Sequence, residues 1–279
     1  MLAEVPAVED LGPVTMGTDS APVITLDGKS VVYVQTLTSP PVVVSRSIAS
    51  GTETTLFGVP LGSSLWTLNY GTGSLLFTVP GVGTARHILE YSLSGNVIRD
   101  FDVPAGFQDF NASISPDGTT LAFIRRNESN GVRTLSVRAV SSGTSMVSGS
   151  VSFFSGELIL AVQWLDDTRI LVSAQVGSGT VVNKIQNLST GIASNAAGLG
   201  LRATPDPSGR HIALLAGATG ALDLWLSGAT GESRTQLTAS ASTKLAMNWS
   251  ADGRAIVYEN RSASPVVSSL QVLSLPPLQ

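Results

Sequence analysis

The sequence predicts an all-β fold, a six-bladed β-propeller built from four-stranded antiparallel blades. Three observations support this prediction. A tight Asp-Gly turn that leads directly into a short apolar strand recurs along the chain, and its copies keep a period of about 45 residues. No stretch has the apolar spacing of three and four that an amphipathic helix requires. A turn-strand unit repeated at a period of roughly 40 to 50 residues is typical of a propeller blade.

The clearest copy of the turn is Ser-Pro-Asp-Gly at residues 115–118, which precedes the apolar residues 121–124. The Asp can accept hydrogen bonds within its own turn, and the Gly supplies the positive φ that a tight turn needs. Comparable turns end at Gly28, Gly209 and Gly253, whereas the turn at residues 71–74 lacks the Asp and that at residues 166–168 lacks the Gly. These six copies predict six units.

The units divide a single domain of residues 1–279 into its blades. Their predicted bounds are residues 20–61, 62–107, 108–155, 156–198, 199–241 and 242–279. The last unit has only three strands of its own, and we expect a strand at residues 13–17 to supply the fourth, after a loosely held N-terminal stretch. This arrangement closes the ring and removes exposed sheet edges. A pair of immunoglobulin-like sandwiches is the alternative, but sandwich strands do not keep one turn motif at a fixed period.

Three segments resemble the blade repeat of TolB-type β-propellers. They are residues 249–258 (Trp-Ser-Ala-Asp-Gly-Arg-Ala-Ile-Val-Tyr), residues 115–118, and residues 224–226 together with residues 231–238. The likeness covers nearly the whole chain and is strongest in the last two units. Such blades occur in periplasmic translocation proteins, in actinobacterial lipoproteins of the LpqB kind and in propeller domains of some peptidases. The resemblance therefore implies the fold and an extracytoplasmic location (periplasm, envelope or secreted), but no single activity.

Composition excludes several function classes. The chain has 16 basic and 20 acidic residues and a net charge of −4, with no basic stripe, so we expect no nucleic-acid partner. It contains no Cys, which excludes disulfides, a thiol nucleophile and thiolate metal ligands. No run of eighteen apolar residues could span a membrane. Residues 1–6 lack the basic and apolar regions of a signal peptide, so a signal would have been removed or would belong to a longer parent chain.

Catalytic motifs are absent from the sequence. Its two histidines, His87 and His211, lie in different units, and no Gly-x-Ser-x-Gly motif occurs. The turn aspartates are better interpreted as turn caps than as Ca²⁺ ligands, because each lies in a different blade. We therefore predict no catalytic residues, no metal and no cofactor.

A mixed polar rim is predicted at the mouth of the central channel, where the innermost strands begin. The residues about nine positions before each turn glycine are Asp19, Ser64, Asp109, Glu157, Arg202 and Lys244. Phe107 and Phe110 flank Asp109 and are expected to be exposed there as an interaction hot spot. The tryptophans at positions 66, 164, 225 and 249 are expected to pack between blades.

The leading functional hypothesis is a non-catalytic, monomeric propeller that binds a protein or peptide partner at this mouth. The alternative is a propeller enzyme or enzyme accessory domain, such as a lactonase, a lyase or a peptidase-associated domain, with a small molecule or metal in the channel. A third hypothesis is a structural spacer of a surface protein.

Overall fold

The computed structural model describes residues 6–16, 20–81, 83, 85–140, 148–151, 157–177, 179–218 and 220–278. These residues form 24 β-strands and no helix. None of them belongs to a helix long and apolar enough to cross a membrane. The strands, in chain order, are β1 (Ala7–Val14), β2 (Val23–Ile24), β3 (Ser30–Gln35), β4 (Val42–Ser47), β5 (Glu53–Gly58), β6 (Ser64–Leu68), β7 (Leu75–Pro80), β8 (Arg86–Tyr91), β9 (Val97–Phe101), β10 (Phe107–Ile114), β11 (Thr120–Asn127), β12 (Arg133–Ala139), β13 (Ser148–Val151), β14 (Glu157–Trp164), β15 (Arg169–Val176), β16 (Thr180–Asn187), β17 (Ala193–Leu199), β18 (Arg202–Pro205), β19 (His211–Ala218), β20 (Ala221–Gly228), β21 (Thr235–Gln236), β22 (Thr243–Trp249), β23 (Ala255–Arg261) and β24 (Ser268–Ser274).

The strands are arranged in six four-stranded antiparallel sheets, which confirms the predicted six-bladed propeller. Blades 1 to 5 are β2–β5, β6–β9, β10–β13, β14–β17 and β18–β21, and blade 6 has the order β22-β23-β24-β1. The inner strands β2, β6, β10, β14, β18 and β22 each contact the next one, and β22 contacts β2. The ring is therefore closed.

The N-terminal strand completes blade 6, as predicted, but it begins earlier than the predicted residues 13–17. It pairs with β24 from Ala7↔Ser274 to Val14↔Ser268, so residues 7–12, which were expected to be loosely held, belong to the sheet. Arg46 of blade 1 holds this strand from the neighbouring blade. Its Nη1 donates to the Leu11 carbonyl at 2.8 Å, and its Nη2 donates to the Pro13 carbonyl at 3.1 Å.

The Asp-Gly turns have one hydrogen-bond network, which explains why they recur. The Ser115 hydroxyl donates to the Asp117 carboxylate at 2.5 Å, and the Thr119 amide donates to the same oxygen at 3.0 Å. The Thr120 amide in turn donates to the Ser115 hydroxyl at 3.0 Å, and Gly118 has a φ of 75°. The same bonds recur at residues 25–30 and 250–255.

The apolar core consists of six clusters, and each cluster joins two adjacent blades around the ring. A fully buried aliphatic or aromatic side chain contributes about 2 kcal/mol, so contacts between blades stabilise the ring. Trp164 and Trp249 lie in two of these clusters, and each indole donates to a backbone carbonyl of the preceding blade at 2.9 Å. Trp225, half-buried beneath Arg234, packs against the cluster between blades 4 and 5, whereas Trp66 lies at the ring axis.

Candidate functional site at the front face of the ring

We call the end of the ring at which the inner strands begin the front face, and the end at which they terminate the back face. The connections between blades and the turns between second and third strands lie at the front face because neighbouring strands are antiparallel. In blade 3, for example, the amide of Glu128 in such a turn donates to the Gly106 carbonyl in the connection before β10 at 2.9 Å. The Asp-Gly turns lie at the back face.

Seven of the eight predicted site residues lie at the front ends of inner strands, and Asp19 lies outside the described residues. Ser64, Phe107, Glu157 and Arg202 are the first residues of β6, β10, β14 and β18. Lys244 is the second residue of β22, and Asp109 and Phe110 are the third and fourth residues of β10. The residues therefore share one face but belong to five different blades, and their role in ligand binding stays a prediction.

Asp109 lies in a buried ion pair beneath the rim. Its two carboxylate oxygens accept from Arg125 Nε at 2.7 Å and Nη2 at 2.6 Å, and only 1% of its surface is exposed. The rings of Phe107 and Phe123 lie 5.7 and 5.1 Å from the Arg125 guanidinium. Burial raises the pKa of Asp109, while hydrogen bonds and charge from Arg125, and the charge of Arg138, act in the opposite direction. This geometry gives Asp109 a structural contact that the spacing argument did not include.

Lys244 is also buried, with 2% of its surface exposed. Its ammonium group lies 3.2 Å from the Asp223 carboxylate of blade 5 and donates to the Ser242 carbonyl at 3.0 Å and to the Ser240 hydroxyl. Asp223 accepts a further hydrogen bond from Thr238 at 2.9 Å. Lys244 therefore joins blade 6 to blade 5.

Phe107 and Phe110 are half-buried. Phe110 packs against the core between blades 3 and 4, and the Arg133 guanidinium lies 5.0 Å from its ring centre. The Arg133 side chain extends further, donating to the Ile159 carbonyl at 2.9 Å. Only part of each ring is available to a partner, less than the exposed pair that the sequence predicted.

The ring axis is occupied by Trp66, which the spacing argument assigned to packing between blades. The Arg202 guanidinium reaches from the opposite blade to 4.5 Å from the Trp66 ring centre, a cation–π contact. Asn248 Nδ2 donates to the Trp66 carbonyl at 3.3 Å and to the Pro22 carbonyl at 3.0 Å. The pairing of β6 shifts register between Leu65 and Thr67, at Trp66 itself. Residues of blades 1, 2, 5 and 6 thus meet at the axis.

Exposed aliphatic side chains lie at both faces of the ring. Eight of the fourteen exposed large hydrophobic residues among the described residues lie at the front face: Leu37, Leu61, Val132, Leu158, Val176, Leu201, Val266 and Val267. Leu61 and Leu201 lie on blade connections, and Leu158 is the second residue of β14, so these three surround the mouth. Their exposed fractions are 74%, 49% and 39%. The repeat pattern gives no sign of these three leucines. The residue types in and next to each blade connection could have identified them.

The two histidines lie in different blades and form no common site. His87 Nε2 lies 3.6 Å from Asp100 in blade 2, and His211 Nδ1 lies 3.6 Å from Asp206 in blade 5. Across the described part of the chain, no three His, Cys, Asp or Glu side chains come together as a metal-binding group.

Comparison with known proteins identifies the fold but no family. No family model and no curated protein matches the chain. Among solved structures, it resembles a gluconolactonase from Xanthomonas campestris, with 12% identity, a TM-score of 0.68 and coverage of 99% of this chain and 91% of that one. It also resembles a putative TolB from Agrobacterium tumefaciens, with 12% identity, a TM-score of 0.63 and coverage of 93% and 90%.

An oligogalacturonate lyase from Vibrio parahaemolyticus is similar as well, with 10% identity, a TM-score of 0.59 and coverage of 98% of this chain and 96% of that one. The chain is thus a six-bladed β-propeller whose structural neighbours include TolB-like proteins and propeller enzymes. At these identities the likeness establishes the fold alone.

Proposed function

We propose that the chain is a non-catalytic propeller that binds a protein or peptide through its front face, outside the cytoplasm. The observation that carries this proposal is the group of exposed leucines around the mouth, Leu61, Leu158 and Leu201. Exposed apolar side chains on a binding face provide association energy when a partner buries them.

The closed axis also favours a macromolecular partner at this face. Trp66 and Arg202 meet at the axis, so the mouth offers a broad surface rather than a deep pocket that could enclose a small molecule. The extracytoplasmic location is supported by the TolB-type blade repeat, and the lack of Cys is compatible with it. The names of the gluconolactonase and lyase neighbours keep a propeller enzyme as the alternative.

The test compares two triple variants that change the same kind of side chain on opposite faces. One carries Leu61→Ser, Leu158→Ser and Leu201→Ser at the front face. The matched control carries Leu93→Ser, Ile98→Ser and Ile192→Ser, which are exposed near the back face. All six side chains are at least 37% exposed, so both variants should fold.

Partners are captured from the source cell's envelope fraction, purified, and titrated directly by calorimetry. We expect the front-face variant to bind a purified partner at least tenfold more weakly and the control to bind it as the unchanged chain does. Equal affinities of all three proteins, or no purified partner that binds directly, would overturn the proposal.

A further inference from the structure

Two arginines face each other at the front end of blade 3. Arg126 of β11 and Arg133 of β12 are directly opposite partners in the antiparallel pairing of these strands. Directly opposite residues have Cβ atoms about 5 Å apart, and like charges in this arrangement destabilise a sheet. We call Arg126 and Arg133 the arginine pair.

The arginine pair lies on the side of blade 3 that packs against blade 4. Phe110, Ile124 and Leu135 form one row across β10, β11 and β12 and belong to the core cluster between these blades. The arginines are two residues away from this row on β11 and β12, and residues two apart on a strand share a face. The pair therefore continues the interblade surface towards the solvent, where Arg126 is exposed and Arg133 half-buried.

Neither arginine has an acidic partner among the residues that the structure describes. Nη1 of Arg133 donates to the Ile159 carbonyl of blade 4 at 2.9 Å, and its guanidinium lies 5.0 Å from the Phe110 ring centre. These contacts position the side chain but supply no counter-charge. The arginines that form ion pairs within the described part of the chain are Arg46, Arg99, Arg125, Arg169 and Arg261.

Glu128, two residues after Arg126, is the acid nearest to the pair in sequence. Its Oε1 accepts from Gln108 Nε2 at 3.0 Å, and it forms no ion pair with either arginine. Burial and the charge of Arg126 both lower the pKa of Arg133, yet an arginine stays protonated at neutral pH. Two positive charges thus remain side by side in a chain whose net charge is −4, and a bound anion would relieve their repulsion.

Exposed apolar side chains flank the arginine pair. Val132 directly precedes Arg133, and Leu158 directly precedes Ile159, the residue whose carbonyl binds Arg133. Their exposed fractions are 54% and 39%. A ligand that reaches both arginines therefore also meets apolar surface at the front face.

We propose that the arginine pair binds a side-chain carboxylate of the partner, so that the front face selects a peptide segment in which acidic residues have apolar neighbours. A guanidinium forms two parallel hydrogen bonds with a carboxylate, and one carboxylate between Arg126 and Arg133 supplies the charge that the blade lacks there. This inference rests on the peptide-binding function proposed above and names the chemistry of its partner.

The test is an NMR titration that follows the arginine Nε–H signals. The probes are the blocked peptide acetyl-Leu-Glu-Leu-Glu-Leu-amide and the same peptide with Gln in place of Glu. The variants are Arg126→Gln/Arg133→Gln and the matched control Arg210→Gln/Arg254→Gln, which removes two exposed arginines of the back face and leaves the same net charge.

We expect the acidic peptide to cause saturable shifts of the Arg126 and Arg133 signals. Its affinity should fall at least fivefold in Arg126→Gln/Arg133→Gln, as for the loss of charged hydrogen bonds at a partly exposed site, and should stay within twofold of the original in the control. The Gln peptide should bind the unchanged chain at least fivefold more weakly than the acidic one.

Thermal unfolding of Arg126→Glu provides a measurement that needs no ligand. This change at an exposed position turns the pair into opposite charges, so the melting temperature should rise by about 1 to 3 °C, and the acidic peptide should bind at least fivefold more weakly. A lower melting temperature would mean that Arg126 already has an acidic partner and would overturn the proposal. Shifts that do not saturate, equal binding of the two peptides, or equal binding of the acidic peptide to Arg126→Gln/Arg133→Gln would do the same.

These results are separable from those for the front face as a whole. If a captured partner depends on the three leucines but binds Arg126→Gln/Arg133→Gln as tightly as the unchanged chain, the front-face proposal stands and the carboxylate site is wrong. If no partner is captured, the front-face proposal fails, and the peptide titration still decides whether the arginine pair binds a carboxylate.

Discussion

At the scale of single residues, Asp109 and Arg125 form a buried ion pair with two hydrogen bonds near the front face. The exposed fractions of the two side chains are 1% and 9%. Replacing Asp109 by Asn leaves the Arg125 charge buried without its counter-charge, which should lower the free energy of unfolding by about 3 to 5 kcal/mol. The double variant Asp109→Leu/Arg125→Met should cost less than the sum of Asp109→Leu and Arg125→Met, as measured by urea unfolding in a double-mutant cycle.

The control for this prediction is the pair of Asp166 and Arg169, which has the same chemistry and is 38% exposed on each side. Because solvent screens this pair, Arg169→Met should cost less than about 1 kcal/mol. Similar losses for Asp109→Asn and Arg169→Met would contradict the assignment of Asp109 to a buried structural pair.

Asp109 also shows what residue spacing could not predict. Spacing placed it correctly at the front end of an inner strand. Its partner, however, is determined by strand register, since Asp109 lies directly opposite Arg125 in the pairing of β10 with β11. The partner of Lys244 was equally unpredictable from spacing, because Asp223 belongs to another blade. Charged residues chosen by spacing alone thus included two whose charges are already neutralised inside the ring.

At the scale of elements, the Asp-Gly turn should make part of the stability depend on pH. Hydrogen bonds from the Ser115 hydroxyl and from Thr119 lower the pKa of Asp117 in the folded state. A lowered folded-state pKa contributes stability that is present above the ordinary Asp pKa of about 3.9 and is lost as the pH falls through the folded-state value. Asp117→Ala should therefore cost about 1 kcal/mol at pH 7, as for the loss of a capping side chain, and less near pH 2.5.

Urea unfolding of the unchanged chain and of Asp117→Ala, each at pH 7 and near pH 2.5, measures how the cost of the substitution depends on pH. Asp102→Ala is the matched control, because Asp102 is exposed and lies outside these turns, and its effect should be small at both pH values. If Asp117→Ala lowered the free energy of unfolding equally at both pH values, the charge of Asp117 would not be the cause of the loss.

The turns were predictable because all of their bonds lie within about six residues of sequence. The turn of blade 2, which lacks the Asp, is also held by bonds between residues close in sequence. Asn69 Oδ1 accepts from the Gly71 amide at 3.0 Å, and Gly73 has a φ of 73°. The bounds of β1 were not predictable in this way. Its partner β24 lies at the other end of the chain, and its own Glu9 and Asp10 are exposed, so they give no local sign of a strand.

At the scale of the whole molecule, the repeat period determines the number of blades but not what occupies the axis. The position of Trp66 depends on a register shift within β6 and on an arginine from the opposite blade. A shift of one residue changes which face a side chain occupies, and no periodic pattern encodes it. The repeat therefore predicted the front face as a surface, but not the contact at its centre.

Closure of the ring by β1 makes the stability of all six blades depend on the N-terminal strand. A chain that begins at residue 15 would lose the pairing with β24, the packing of Leu11 and Val14 against the core between blades 1 and 6, and the Arg46 hydrogen bonds. With about 1 kcal/mol for each apolar side chain and about 2 for the charged hydrogen bonds, the loss is roughly 4 kcal/mol. At about 2 to 4 °C per kcal/mol, the melting temperature should fall by roughly 10 °C.

Calorimetric unfolding of the shortened chain, alone and with a synthetic peptide of residues 6–16, tests this dependence. The peptide should restore most of the lost stability, because it offers the same edge to β24, and a scrambled peptide should not. Arg46→Met in the unshortened chain should produce a smaller loss, since it removes the contact from blade 1 and the Arg46–Glu53 ion pair but keeps the strand pairing. An unchanged melting temperature in the shortened chain would mean that the interblade cores stabilise the ring without this strand, and β1 would then cover an edge rather than close the propeller.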